Sequence, residues 1–288
     1  MRKSKILAIA LINILTILPA SKVLANIQVS PSPELAKIAK DSGLSSPSIT
    51  VCNLAKKCLS YRGDRNPRSA ASLIKLPIAI ALLHKLSSQQ ISLSNPIYVH
   101  PNNFTEEDYS DIKVGRSYPL RYLLTQMIAY SSNIATNQII DYLGWNYINQ
   151  TLRNLGYVNT RAAYKFTGEF TPPRRNRGWA SNLITSNELS AMMVQIYNRK
   201  PPEYEVLIDI LRRQADRELG IQALPNTVGS WLGEKTGENS RVRGTTLATQ
   251  IKRKTYIITL TEDSDKTETK LRQTIIKIIN YIDKNPIL

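Results

Sequence analysis

The sequence predicts an α/β fold of the α+β type. In this fold an antiparallel sheet is built from N- and C-terminal segments and flanked by helices, and the middle of the chain forms an all-helical lobe. Strand-like patterns occur at residues 48–61 and again after residue 230. Between them, apolar residues recur mostly at helical spacing. Strands that share a sheet lie side by side, so we expect the two ends of the chain to pair across a helical insertion.

The first 25 residues have the pattern of a signal peptide. Arg2, Lys3 and Lys5 form a basic start, residues 6–20 are mostly apolar, and Val-Leu-Ala at 23–25 fits a cleavage site. A membrane span needs about 20 apolar residues, and Pro19 interrupts this shorter run. An uncleaved anchor is the alternative. We therefore expect an exported protein, periplasmic or extracellular, with no stable membrane span after cleavage.

Residues 26–288 are expected to form one domain of two lobes. Their number is close to the upper limit for a single hydrophobic core. The change from strand-like to helical patterns places the α/β lobe at about 26–71 and 200–288. The helical lobe is then expected at about 72–199.

The chain is strongly basic, with a formal net charge of +16, or +12 once the four basic and no acidic residues of the signal peptide are removed. Such a charge suits an anionic cell-wall or membrane surface. A nucleic-acid partner is not expected, because the chain carries an export signal and its basic residues are scattered. Arg174, Arg175 and Arg177 form the one basic cluster, and a solvated face is its simpler interpretation.

The segment before residue 62 is predicted to contain a helix and a hairpin. PELAKIAK at 33–40 has the pattern of a short helix, and residues 48–61 form two strands around a turn that carries Cys52 and Cys58. In an oxidising compartment a cross-strand disulfide is one interpretation of this pair. Two unpaired small apolar residues are the other.

The middle of the chain is predicted to be helical. Residues 73–86 are the strongest helix, although Pro77 should loosen its second turn because proline lacks a backbone N–H. Gly144 and Gly156 close two of the later helices. Residues 95–115 and 161–181 are expected to be loops. The further helices are predicted over 119–130, 133–143, 147–155, 185–198 and 203–223.

The last third is predicted to supply most of the sheet. Strand-like patterns cover residues 230–236, 241–250 and 254–261, and the chain ends on an amphipathic helix at 271–282. With His84 and His100 as the only histidines, no transition-metal site can be assembled, and no cofactor is expected.

Three short motifs follow one another along the chain: SLIK at 72–75, SSN at 131–133 and KTG at 235–237. Each is weak alone. The pattern SxxK even occurs twice, because SDIK at 110–113 also fits it, but that copy lies in an acidic loop. Ser72 differs from Ser110 because it begins an apolar helix.

Lys75 follows Ser72 by one helical turn, which places hydroxyl and amine within hydrogen-bonding reach. A serine hydroxyl is a weak nucleophile until a base takes its proton, and burial near other cations lowers a lysine pKa. The two residues are therefore a candidate nucleophile and base. Without the other motifs, Ser72 would simply cap the helix and Lys75 would reach to water.

Together, the three motifs resemble those of the penicillin-recognising serine hydrolases, and most closely the class A β-lactamase-like fold that these enzymes share with D-alanyl-D-alanine peptidases. The segment YSSNIATNQIIDYLG near 130–144, with its Asn137, and Arg243-Gly244 after the KTG strand are also similar to that family. The resemblance covers the chain from about Pro33 to its end.

The resemblance implies roles for the other motif residues. Ser131 would pass a proton to the leaving nitrogen, and Asn133 would hold the substrate amide or Lys75. Lys235 and Thr236 would bind the substrate carboxylate, and Gly237 would let its backbone lie against the strand. The backbone N–H groups of Ser72 and Glu238 would form an oxyanion hole. Arg243 is either a second carboxylate anchor or a plain surface cation.

The chain departs from the class A pattern at the residues that deacylate the enzyme. In that family a glutamate, followed four residues later by asparagine, positions the water. Here Glu169 is followed at that spacing by Pro173, Glu188 lies in the next helix, and Gly178 precedes Asn182. Position 132 is also serine where the β-lactamases usually have aspartate.

The missing pair favours a penicillin-binding D,D-peptidase. Its substrates would be peptidoglycan stem peptides ending in D-Ala-D-Ala, and β-lactams would react with it as inhibitors. One alternative is a β-lactamase in which Glu169 positions the water from a rearranged loop. A second alternative is a catalytically inactive wall-binding homologue. Intact SxxK, SxN and KTG motifs argue against that last alternative, since a binding protein needs no base beside a serine.

Overall fold

The computed structural model describes residues 27–107, 110–168, 171–199 and 201–287. The predicted signal peptide lies outside the described residues. The strands, in chain order, are β1 (Gln28–Pro31), β2 (Pro47–Asn53), β3 (Lys57–Tyr61), β4 (Pro96–Tyr98), β5 (Ser117–Pro119), β6 (Ser230–Asn239), β7 (Val242–Ile251) and β8 (Lys254–Glu262). The helices are α1 (Pro33–Asp41), α2 (Lys75–Ser88), α3 (Leu120–Ile128), α4 (Asn133–Leu143), α5 (Trp145–Asn154), α6 (Ser186–Tyr197), α7 (Tyr204–Leu211), α8 (Gly220–Ala223) and α9 (Glu268–Lys284).

Six strands form one sheet in the order β1-β3-β2-β8-β7-β6. The N-terminal strand β2 pairs antiparallel with the C-terminal strand β8, so the two ends of the chain meet in the middle of the sheet. The predicted fold class is therefore confirmed. One pairing differs from the prediction: β1 runs parallel to β3. It can do so because α1 carries the chain across the sheet before β2 begins, which leaves the outer edge of β3 open to β1.

Each face of the sheet supports its own hydrophobic core. Along β8, Ile257 packs into the core that contains the buried residues of α2 and α6, and Ile258 packs into the core on the opposite side. This alternation follows from the two-residue repeat of a strand. The opposite side is covered by α1 and α9, with Leu35 and Ile275 in contact with that face. The division of residues 26–288 into the two predicted lobes stays a prediction.

The apolar helix begins later than its sequence pattern predicts. Residues Ala71–Ile74 form a 3-10 turn, and α2 starts at Lys75. Pro77 thus lies in the first α-helical turn, where a backbone N–H has no partner within the helix, so the loosening expected there does not arise. The stretch Ala71–Ser88 is long and apolar enough to cross a membrane, but 72% of it is buried inside the protein. It is the core helix of the fold.

Two predicted segments are more divided than expected. The helix predicted over 203–223 consists of α7 and the short α8, and the chain between them leaves the helix where Ala215 N–H donates to the carbonyl of Ala129, at 2.9 Å. That intervening segment forms a wall of the cleft described below. The predicted loop 95–115 contains β4, which pairs with β5.

Cys52 and Cys58 lie opposite each other on β2 and β3, and the structure joins them in a disulfide.

Candidate active site

The three sequence motifs meet at the side chain of Ser131. The Lys75 amine donates to the Ser131 backbone carbonyl, to Ser131 Oγ at 3.1 Å and to Asn133 Oδ1 at 2.8 Å. From the opposite side, Lys235 Nζ donates to the same Ser131 Oγ at 3.2 Å. One hydroxyl therefore bridges the two lysines. Such a bridge can carry a proton between them and the reacting group.

Ser72 lies on the 3-10 turn before α2, half-buried, and lines a cleft of about 720 Å³ together with Ser131 and Gly237. The preceding residue, Ala71, has a φ of 42°, and Ser131 has a φ of 57°. Both values lie in the left-handed region, which costs roughly 1 kcal/mol or more for a residue with a Cβ. The fold thus holds Ser131, and the residue just before Ser72, in strained backbone positions, as is common at active sites.

The amine of Lys75 points to the SSN segment rather than to Ser72. Its hydrogen bonds with the described residues go to Ser131 and Asn133. The direct bond to Ser72 expected from the one-turn spacing is not formed, because Ser72 precedes the α-helix on a 3-10 turn while Lys75 begins it. Ser72 and Ser131 line the same cleft, and the Lys75 amine reaches that cleft through its hydrogen bond to Ser131 Oγ.

The environment of Lys75 favours a neutral amine. The side chain is fully buried, and this burial, followed by the nearby charge of Lys235, holds its pKa well below the usual value. The nearby Glu107 raises the pKa of Lys75, but by less than burial lowers it. The ring of Phe166 lies 4.3 Å from the Lys75 amine. A neutral lysine beside a serine is the base that acyl transfer requires.

Lys235 is also buried, and burial lowers its pKa to about 7. The nearby Asp216 and Glu234 raise the pKa of Lys235, whereas the positive charge of Arg243 lowers it further. Lys235 therefore has acidic neighbours that favour its charge, while the Lys75 amine bonds only to neutral oxygens among the described residues. We assign the positive charge of the pair to Lys235, where it serves to attract an anionic group.

Glu107 is a site residue that sequence reasoning missed. Its Oε1 accepts from Ser132 Oγ at 2.7 Å, and its Oε2 accepts from the backbone N–H groups of Asn133 and of Ile134, the latter at 2.9 Å. The carboxylate thereby caps the N-terminus of α4, where a negative charge is favourable. Class A enzymes usually have an acidic residue where this chain has Ser132. Here Glu107, from a different segment, provides an acidic group beside that position. No spacing rule links this loop residue to the SSN motif, so no sequence pattern indicates it.

We predict that Glu107→Gln changes both the rate and the pH dependence of acylation by penicillin. Loss of charged hydrogen bonds at the SSN segment should slow acylation about tenfold. Because Glu107 raises the pKa of Lys75, its neutralisation lowers that pKa, so the amine stays neutral to lower pH. The acidic limb of the rate profile should therefore move to lower pH, measured by stopped-flow acylation.

Asp111→Asn is the matched control, because Asp111 is an exposed acid in the same loop. It should leave both the rate and the pH profile unchanged. An unchanged acidic limb in Glu107→Gln would contradict an electrostatic link to Lys75 and reduce Glu107 to a helix cap.

The KTG strand forms the substrate side of the cleft. Thr236 is buried, and its interaction with Asp216 is one of the effects that lower the pKa of that carboxyl group. A Cβ at Gly237 would lie 2.8 Å from Leu73 Cγ, so this glycine lets β6 pack directly against the turn that carries Ser72. Glu238 lines the same cleft as Ser72. The oxyanion hole from their backbone N–H groups stays a prediction.

Arg243 is not a plain surface cation. Its side chain is 2% exposed and pairs with Glu238 Oε2 at 2.8 Å and Asp216 Oδ2 at 3.0 Å. Glu268 and Glu218 lie farther away, at 3.6 and 3.9 Å. Burial disfavours the charged form of Asp216, but the pairing with Arg243 and the bonds from Glu218 N–H and Thr236 still hold its pKa below the usual value. A substrate carboxylate would have to compete with these acids for Arg243.

The loop at 161–183 places the ring of Phe166 beside the amine of Lys75. Asn137 Nδ2 donates to the Phe166 carbonyl at 2.9 Å, and Phe166 N–H donates to Asn137 Oδ1 at 2.8 Å. Beside it, buried Lys165 pairs with Asp141 at 2.6 Å and ties the loop to α4. Asn182 closes the base of the loop through the backbone of Tyr164. Position 166 is therefore fixed against Lys75 by side chains on both sides.

Of the two acids considered for deacylation, the structure describes only Glu188, and its hydrogen bonds lie outside the site. Glu188 lies in α6, where its carboxylate accepts from Asn159 N–H at 2.8 Å and Thr160 Oγ1 at 2.6 Å. It is a structural residue. Glu169 lies outside the described residues.

Comparisons with known proteins agree with this geometry. A model of the beta-lactamase enzyme family matches residues 30–282. No curated protein matches the chain in sequence. The solved structure of PBP-A is similar, with a TM-score of 0.75 and 21% identity over 90% of this chain and 100% of that one.

Two further solved structures show the same fold. A PBP-A point mutant in an acyl-enzyme complex with penicillin G has a TM-score of 0.72 and 23% identity over 88% of this chain and 98% of that one. A β-lactamase from Sphaerobacter thermophilus has a TM-score of 0.72 and 19% identity over 88% and 97%. With the family model covering most of its length and the three motifs meeting around Ser131, the chain belongs to the beta-lactamase enzyme family, among the penicillin-recognising serine hydrolases of the class A β-lactamase-like fold.

Proposed function

We propose that the protein is an exported D,D-peptidase that forms an acyl-enzyme through Ser72 with D-alanyl-D-alanine peptides and, more lastingly, with β-lactams. The observation that carries this proposal is the aromatic ring of Phe166, which lies 4.3 Å from the Lys75 amine and is fixed there by Asn137. A deacylating enzyme of this family needs a carboxylate beside the same lysine and serine. An aromatic ring cannot accept a proton from water.

Acylation follows from the groups around the cleft. Neutral Lys75 takes the proton of Ser72, whose Oγ attacks the peptide or lactam carbonyl. The backbone N–H groups of Ser72 and Glu238 stabilise the oxyanion, a contribution of about 3 kcal/mol per donor. Ser131 passes the proton from Lys75 to the leaving nitrogen, the C–N bond breaks, and D-alanine departs. With a β-lactam the leaving nitrogen stays attached, and it blocks the approach of an acyl acceptor.

The substrate carboxylate is assigned to Lys235 and Thr236. Lys235 carries the positive charge of the lysine pair and donates to Ser131 Oγ, and the neighbouring Thr236 lines the cleft. Arg243 contributes less than its charge suggests, since Asp216 and Glu238 already pair with it.

Deacylation is expected to be slow, because the described carboxylates near the SSN segment and the 161–183 loop are committed elsewhere. Both oxygens of Glu107 accept hydrogen bonds at the start of α4. Asp141 pairs with Lys165, and Glu188 binds Asn159 and Thr160. Water or an amine can then release the acyl group only where the cleft has room for it. A peptide substrate leaves that room when D-alanine departs.

Export and a wall substrate are part of the same proposal. The signal-peptide pattern at residues 1–25 supports export, and the disulfide between Cys52 and Cys58 suits an oxidising compartment such as the periplasm or the exterior. The remaining charge of about +12 suits the anionic polymers of a cell wall.

Intact-mass measurement after mixing with penicillin G tests the proposal. We expect one adduct per chain within seconds and its persistence for many minutes, with a single burst of nitrocefin hydrolysis per active site. Sustained nitrocefin turnover on the order of one per second or faster would instead identify a β-lactamase. Absence of any adduct would identify a non-catalytic homologue.

A further inference from the structure

A second cleft lies on the helical lobe, lined by residues that the acyl-transfer site does not use. Its volume is about 660 Å³. Helix α5 supplies Trp145, Tyr147, Gln150 and Arg153 to its lining, and the 161–183 loop supplies Arg161 and Trp179. Aromatic rings and arginines together are typical of binding surfaces, where a few polar groups orient a ligand on apolar platforms.

Trp179 is held in place although it is exposed. Its ring is paired with the Arg161 guanidinium at 5.0 Å, and its backbone N–H donates to the Ala163 carbonyl at 3.0 Å. The side chain is nevertheless 64% exposed. Leaving so large an apolar ring in water is unfavourable, and fixing it there pre-organises a flat platform for a ligand.

The polar groups of the cleft are partly unused. Arg161 donates one bond, to the Ser181 carbonyl at 3.3 Å, whereas its Nε is buried and has no partner among the described residues. Arg153 bonds only to neutral Gln150 Oε1, at 3.0 Å. Neither arginine has an ion pair with a described residue. Both guanidinium groups therefore remain available to a carboxylate.

The charge around the cleft has one sign. Between residues 142 and 187 the sequence contains a single acid, Glu169, against six basic residues. Arg174, Arg175 and Arg177 are exposed on the same loop as Trp179. This local excess of positive charge favours an anionic ligand.

We propose that this cleft binds the glycan strand of peptidoglycan, with a sugar ring stacked on Trp179 and free carboxylates of the attached stem peptides paired with Arg161 and Arg153. Sugar rings present apolar C–H faces that suit tryptophan, and the acetamido groups suit the amide of Gln150. The choice of this polymer rests on the proposed function, which makes the attached stem peptides the substrate of Ser72. The cleft then anchors the polymer while its stems reach the acyl-transfer site.

Co-sedimentation with purified, protein-free peptidoglycan tests the site, with Ser72→Ala as the common background to prevent turnover. Trp179→Ala and Arg161→Gln are each expected to raise the apparent Kd at least about tenfold. Tyr98→Ala and Lys252→Ala are matched controls, because they remove an exposed aromatic ring and an exposed cation elsewhere. With Ser72 intact, Trp179→Ala should be acylated by penicillin G at the wild-type rate, which shows that the variant is folded.

Unchanged affinity of Trp179→Ala, or an equal loss in the two controls, would overturn the proposal. So would binding of dextran sulfate or of a single-stranded oligonucleotide as tightly as peptidoglycan, because the cleft would then be a general polyanion surface. A wild-type chain that binds peptidoglycan through Trp179 without being acylated by penicillin G would refute the proposed peptidase and support the glycan site.

Discussion

Replacing Ser72 by alanine is expected to abolish the covalent adduct that penicillin G forms with the protein. The hydroxyl on the 3-10 turn is the nucleophile of the proposed mechanism, and a methyl group cannot replace it. Loss of a catalytic serine in related chemistry costs several powers of ten, so the acylation rate should fall by at least about 10⁴-fold. Intact mass spectrometry at saturating penicillin G measures the remaining rate.

Ser110→Ala is the control for this prediction, because Ser110 begins the second SxxK pattern of the chain. Its hydroxyl accepts from the Ile112 N–H at 3.1 Å and forms a local turn in the loop between β4 and β5. The variant should be acylated like the wild-type protein. An adduct that still forms with Ser72→Ala but not with Ser110→Ala would show that Ser110, and not Ser72, is the nucleophile.

Phe166→Glu is expected to turn a long-lived adduct into turnover. Asn137 holds the backbone at position 166, so a glutamate there would direct its carboxylate toward Lys75. This carboxylate could take a proton from a water that attacks the acyl-enzyme. General-base catalysis typically contributes 10²–10⁴-fold, so the lifetime of the penicillin adduct should shorten at least about 100-fold. Nitrocefin hydrolysis should become sustained.

The same substitution should also slow acylation, because a carboxylate beside Lys75 raises the pKa of the amine and favours its charged form. The two effects are separated by measuring adduct formation and adduct decay in one time course. Tyr164→Glu provides the control, since Tyr164 lies in the same loop but is 40% exposed and its backbone bonds to Asn182. Equal lifetimes in wild type and Phe166→Glu, or an equal gain in Tyr164→Glu, would contradict the role given to Phe166.

Most helices and strands could be predicted because their signals are local. The helix predicted over 133–143 has the bounds of α4, and Thr185 caps α6 by accepting from Glu188 N–H at 3.2 Å. The segment 203–223 was predicted less well. Its break between α7 and α8 depends on a hydrogen bond from Ala215 to the distant Ala129, which no helical pattern reveals.

The catalytic motifs could also be predicted, since their order along the chain matched a known family. Ser131 meets both Lys75 and Lys235, as that resemblance implied. One-turn spacing predicted Ser72 and Lys75 within hydrogen-bonding reach, and the structure shows the Lys75 amine bonded to Ser131 and Asn133, with Ser72 on a 3-10 turn before the α-helix.

The sequence by itself determined the family and the fold class and named the candidate reacting groups, because these follow from local periodicity and from motifs in a fixed order. The tertiary structure alone decided what surrounds those groups: Glu107 at the start of α4, Phe166 against Lys75, and acids around Arg243. These contacts join residues far apart in the chain, and they form only where packing buries both partners together. Burial and neighbouring charge in turn set the pKa of each lysine, so the expected balance between acylation and deacylation depends on the folded protein.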